Sequence, residues 1–164
     1  MEYIYLGRVA NTHGIKGELR LLSNFKYKNK VFVKDFFIYM GKEKVKEQIK
    51  TYRVHKQFDM ITISEYTNIN EVLKYKGKPV YIKRVDLQLS KGEYLDEDLI
   101  GMDVIVNNKI VGKITKIQRD KYQDKIVVNK DEKEYLVPYV CDIIKKINLL
   151  DNNLTLEYIK GLLD

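Results

Sequence analysis

The chain has 164 residues, of which 45% are hydrophobic, and its 30 Lys and Arg exceed its 23 Asp and Glu to give a formal charge of +7. That length holds one medium domain or two small ones and buries a core in either case. No apolar run approaches the roughly 20 residues of a membrane helix, and Glu2 and Arg8 interrupt the first apolar segment where a secretory signal would need continuity, so a soluble cytoplasmic protein with no membrane partner is expected.

Short segments rich in Ile, Val, Tyr and Phe follow one another from the start: Tyr3 to Ala10, Glu18 to Leu22, Val31 to Met40, Ile49 to His55 and Met60 to Ile63 read as strands. Ile69 to Lys76 reads as the one clear helix. Asn68 is its cap, Glu71 returns a bond to the cap backbone, and Ile69, Val72 and Leu73 form the buried stripe. Gly77 ends that helix, and Lys78 to Ile82 resumes an extended strand. The pattern loosens over residues 85–91, which read as a linker. Beyond it a second strand series is expected at Met102 to Val106, Ile110 to Ile117, Lys125 to Val128, Tyr135 to Pro138 and Leu154 to Tyr158, with Asn107-Asn108 as a hairpin turn. The fold class is therefore mainly all-β, with domains at 1–84 and 92–164 and no internal repeat.

Charge divides at the same place. Residues 1–84 carry 18 Lys and Arg against 8 Asp and Glu, a balance of +10, whereas residues 85–164 carry 12 against 15, a balance of −3. A basic half suits a polyanionic partner or simply a solvated surface.

The most specific stretch is Thr12-His13-Gly14-Ile15-Lys16-Gly17-Glu18-Leu19-Arg20. Gly14 and Gly17 supply the backbone freedom of a tight corner between two strands. His13, Lys16 and Arg20 are types the turn does not require; Lys and Arg suit phosphate, and His hydrogen-bonds RNA or its own backbone. Gly14-Ile15-Lys16-Gly17 is also a literal Gly-x-x-Gly, but the KH loop of that pattern joins helices, and this one joins strands. The stretch closely resembles the N-terminal signature of the ribosome maturation factor RimM family, Thr-His-Gly-(Leu/Ile)-Lys-Gly-Glu-(Val/Leu)-Arg, with all nine positions filled. Gly92 to Gly101, Leu136-Val137-Pro138 and Gly161-Leu162-Leu163-Asp164 resemble later elements of that family in the same order, so the resemblance spans essentially the whole chain.

The resemblance implies two small β-barrels: an N-terminal RimM-type barrel with one short helix, and a C-terminal PRC-type barrel. It implies a monomeric, non-enzymatic assembly factor that binds the precursor of the small ribosomal subunit, assists head assembly and rRNA processing, and needs no cofactor. His13, Lys16 and Arg20 are then candidate RNA or ribosome contacts. Tyr94 and Leu95 occupy a paired-aromatic position through which the family engages small-subunit ribosomal protein nineteen, with Leu95 here in place of the second aromatic. Where the family carries a Gly-Ala/Pro-Asn-Asp turn this chain has Lys121-Tyr122-Gln123-Asp124, and only Asp124 is kept.

The inventory for catalysis is thin. No Walker A or dinucleotide glycine pattern occurs. His13 and His55 are too far apart in sequence for a same-helix metal pair, and Cys141, the lone cysteine, reads as a small apolar filler near a strand end. Asp96-Glu97-Asp98 reads as a solvated loop rather than a metal site. Tyr94 itself is open to two readings, core tyrosine or recognition anchor. Two functional alternatives stay open beside the assembly factor: a general RNA-binding β-barrel without ribosome specificity, and an enzyme on a reductase-like barrel that would retain a flavin.

Overall fold

A computed structural model describes residues 2–164. The chain divides into two compact units, Met1–Gln88 and Leu89–Asp164. Strands dominate both.

In the first unit six strands, β1 (Tyr3–His13), β2 (Glu18–Leu22), β3 (Phe37–Met40), β4 (Val45–His55), β5 (Phe58–Ile63) and β6 (Pro79–Lys83), close into a barrel in the order β1-β2-β5-β4-β3-β6. Alternation decides much of what fills it: Leu19 and Leu21 of β2 and Val80 and Ile82 of β6 are fully buried while their neighbours along each strand are partly exposed, and in β3 Ile38, Tyr39 and Met40 are all buried. Among the described residues one charged side chain, Asp59, lies beneath the surface. Asp59 is 2% exposed, sits 2.7 Å from the Lys28 ammonium and accepts the Tyr52 hydroxyl at 2.6 Å. Burial, then the Asp59 hydrogen bond and charge, pushes the Tyr52 phenol up to about 12.

The expected strand over Val31 to Met40 is too long. Val31 ends a short helix, α1 (Lys28–Val31), and Phe36 N–H bonds back to Val33 O at 3.2 Å around Asp35, which has φ 72°. Val31 and Phe32 are buried by packing rather than by strand pairing, and a short apolar run does not distinguish the two.

The expected helix over Ile69 to Lys76 is one α turn, α2 (Ile69–Val72), followed by a three-residue 3₁₀ turn (Leu73–Tyr75). Its cap is as read: Asn68 Oδ1 accepts from Asn70 N–H at 2.9 Å, and Glu71 Oε1 accepts from Asn68 N–H at 3.2 Å. The tighter turn changes the stripe, because 3₁₀ geometry places three residues per turn. Val72 and Tyr75 are buried and Leu73 is exposed. Tyr75 and Tyr66 both donate their hydroxyls to Glu47 Oε2, which fastens this segment to β4.

The second unit is a six-stranded sheet of β7 (Asp103–Val106), β8 (Lys109–Gln118), β9 (Lys125–Lys130), β10 (Lys133–Pro138), β11 (Ile144–Asn148) and β12 (Asn153–Leu156), ordered β10-β9-β8-β7-β12-β11. All neighbours pair antiparallel except β12 and β7. Asn107 and Asn108, at φ 50° and 63°, form the expected hairpin turn between β7 and β8. The core gathers Leu99, Met102, Val104, Ile114, Ile126, Val128, Val137, Leu154, Leu156 and Leu163.

Three readings change here. β11 escapes the strand pattern because Lys145 and Lys146 break its apolar alternation. Asp96-Glu97-Asp98 is not a loop but opens one helical turn, α3 (Asp96–Leu99), where Leu95 N–H donates to Asp98 Oδ2 at 2.9 Å. Cys141 is exposed rather than a buried filler, since it falls in the turn between β10 and β11 and not on a strand face.

Candidate functional site

The corner between β1 and β2 is held at both ends. His13 and Glu18 are directly paired across the strands, and between them Gly14 and Gly17 adopt φ 71° and 89°. A Cβ at Gly17 would lie 3.0 Å from Asn68 O, so that position is constrained by close approach as well as by its dihedral. Ile69 N–H donates to Ile15 O at 2.9 Å, which ties the corner to the start of α2. Ile15, 79% exposed, and the exposed Lys16 project from its tip.

Arg20 is more committed than its sequence position implies. Its Nη2 lies 2.6 Å from His13 Nδ1, and its guanidinium carbon stands 5.6 Å above the centre of the Phe58 ring. Because guanidinium only donates, His13 Nδ1 is the acceptor and the imidazole proton belongs on Nε2. Thus the structure brings His13 and Arg20 together, while Lys16 stands apart at the tip.

Side chains from β4 and β5 complete this surface, and the sequence reading missed them. Arg53 donates to both Glu18 oxygens, at 2.8 and 2.7 Å, across a separation of 35 residues. The hydrogen bonds from Arg53 hold the Glu18 carboxyl below its usual range and raise the Arg53 guanidinium in turn. The His55 ring lies 5.8 Å from that of His13. Partial desolvation, then the charges of Arg53, Lys56, His13 and Arg20, lowers His55 below its ordinary value.

In the second unit Tyr94 packs half-buried against the core, and its hydroxyl accepts from Tyr139 at 3.2 Å. Burial, then that hydrogen bond, pushes the Tyr139 phenol upward. Leu95, beside it, is 6% exposed. Arg119 pairs with both Asp96 and Asp124 and stands 5.8 Å over the Tyr139 ring, so one guanidinium links α3 to the 121–124 turn. Asp124 organises that turn. It accepts Asp120 N–H at 3.2 Å, and this bond together with Arg119 keeps its carboxyl low. Its carbonyl accepts Tyr139 N–H at 2.9 Å. Tyr122, 87% exposed, points away from these contacts.

Among the described residues no three His, Cys, Asp or Glu side chains group as metal ligands, and no helix is long and apolar enough to cross a membrane.

The fold defines a two-domain protein built mainly of β-strands. Residues 4–87 match the RimM N-terminal domain model, and residues 96–162 match the RimM PRC barrel domain model. The chain belongs to the RimM family. It is 36% identical to the ribosome maturation factor RimM of Staphylococcus haemolyticus, with 98% of this chain and 99% of that one covered. It is 37% identical to the protein of the same name from Finegoldia magna, covering 99% and 100% of the two chains, and 38% identical to that of Ligilactobacillus salivarius, covering 99% of each.

Proposed function

We propose that the chain is a non-enzymatic maturation factor that binds the precursor of the small ribosomal subunit and assists head assembly and rRNA processing. The end-to-end match to relatives named ribosome maturation factors carries this reading. In it the basic first unit contacts rRNA through His13, Lys16 and Arg20, with Gly14 and Gly17 fixing the corner that displays them. Lys16 supplies an exposed ammonium, while His13 and Arg20 act as a pair, Nε2–H and guanidinium donors side by side.

The mildly acidic second unit contacts small-subunit ribosomal protein nineteen at Tyr94 and Leu95. Tyr94 offers a ring already oriented by Tyr139, and the adjoining Leu95 is buried at 6% exposure. Opposite charge on the two sides speeds and orients the encounter. Residues 85–91 serve as the connection between the units, and the factor works as a monomer in the cytoplasm without a cofactor.

Co-sedimentation tests the assignment. The chain is expected to travel with small-subunit precursors and not with mature complete ribosomes. Equal binding to arbitrary RNA would favour an RNA-binding barrel without ribosome specificity, which the +10 balance of residues 1–84 also accommodates.

A further inference from the structure

We infer that the outer face of β1, β6 and β3 is a stacking platform for unpaired RNA, separate from the β1–β2 corner. This rests on the reading that the first unit contacts rRNA. Strand register builds the platform: Tyr5 of β1 lies directly opposite Tyr81 of β6, Tyr81 opposite Tyr39 of β3, and Tyr39 opposite Lys46 of β4. An aromatic row therefore crosses three strands and ends on a cation. The Tyr5 and Tyr81 rings meet edge to face at 5.9 Å, and Tyr3 meets Tyr39 at 5.3 Å. Tyr39 is the buried floor at 4% exposure, whereas Tyr5 at 56% and Phe37 at 38% are open.

Lysines decorate this row. Lys44 lies 4.1 Å from the centre of Tyr81 and 5.5 Å from Tyr3, Lys46 lies 4.1 Å from Phe37, and Lys83 lies 4.9 Å from Tyr39. β1, β3 and β6 contain no acidic residue. Exposed large rings, lysines set over the rings and no carboxylate on those strands fit one chemistry best: a polyanion that also presents flat faces. Unpaired bases present such faces and a duplex hides them.

On binding, a base replaces an ammonium over a ring, and the displaced lysine turns to the adjoining phosphate. The exchange is favourable because an exposed cation–ring contact is weaker than a base stacked on the same ring. Strands lie about 4.8 Å apart, so the row from Tyr5 to Tyr81 accommodates about two stacked bases, with Phe37 beside them.

Fluorescence anisotropy of the full chain with a labelled ten-nucleotide oligouridylate, and with a duplex of equal length, tests this. The single strand is expected to bind at least tenfold tighter than the duplex. Tyr5→Ala is expected to weaken the single strand roughly tenfold, and Tyr5→Phe to keep it within about twofold, because stacking needs the ring and not the hydroxyl. Lys44→Gln is expected to lower the salt slope by about 0.7, the single-strand value for one phosphate contact. Thermal melting identifies any variant that has lost its fold, and Tyr5 is exposed enough to be truncated safely. Parent-like single-strand affinity in folded Tyr5→Ala overturns the platform. So does a polyglutamate peptide whose binding falls as much as RNA binding does in that variant, since the face would then be a protein-docking one. Failure of the parent chain to bind small-subunit precursors removes the underlying reading. Precursor binding with an unaltered single-strand affinity in Tyr5→Ala removes the platform alone.

Discussion

A fourfold rise in monovalent salt should weaken the RNA-dependent binding of this chain to small-subunit precursors roughly a hundredfold, if about four phosphates are neutralised at slopes between the single-strand and duplex values. The expectation comes from the 18 Lys and Arg against 8 Asp and Glu of residues 1–84. Some of these cations are already engaged: Lys28 neutralises Asp59, and Arg53 is held by Glu18. Lys16, at the tip of the β1–β2 corner, is exposed and able to exchange counterions for phosphate. Titrations at several salt concentrations measure the slope directly. Near-constant affinity across the fourfold range would contradict the electrostatic account of the first unit.

Truncation at Tyr94 and Leu95 should separate contact from support. Tyr94→Ala should cost about 2 kcal/mol of partner affinity, or roughly thirtyfold, as anchoring aromatics commonly do. Leu95→Ala removes a side chain that is 6% exposed, and should cost about 2 to 5 kcal/mol of stability through the lost transfer energy and the cavity left behind. The double variant should lose both. Partner affinity and thermal unfolding, measured on the same three variants, distinguish these effects. Unchanged affinity in a folded Tyr94→Ala protein would reject the anchor, and the Tyr94–Tyr139 hydroxyl pair would then be core structure only.

Local chemistry carried much of the fold. Val80 and Ile82 alternate with outward Tyr81 and Lys83, so β6 is readable from five residues. Asn68 with Glu71, and Asn107 with Asn108, announce a helix start and a hairpin by side-chain chemistry that acts within a few positions. Readings failed where a distant partner decided the outcome. Val31 and Phe32 have the composition of a strand, but Val31 closes α1 and Phe32 follows it, both buried, and Tyr75 replaces Leu73 in the core with its hydroxyl bonded to Glu47 of β4, 28 residues away.

The candidate sites follow the same rule. Gly14 and Gly17 are legible because the corner is local, and His13 and Arg20 because they flank it. The Arg53 clasp on Glu18 and the approach of His55 to His13 depend on how β4 and β5 close the barrel. The row of Tyr5, Tyr81 and Tyr39 exists only through register between three strands widely separated in sequence. Nothing in the spacing of those tyrosines along the chain foretells it.

A density map of the chain bound to a small-subunit precursor is the most direct measurement of the division of labour between the two units. The result expected is residues 1–84 against rRNA, with Lys16 and Arg20 facing phosphates, and Tyr94 against small-subunit ribosomal protein nineteen. The second unit seated on rRNA with the first on the protein would contradict it.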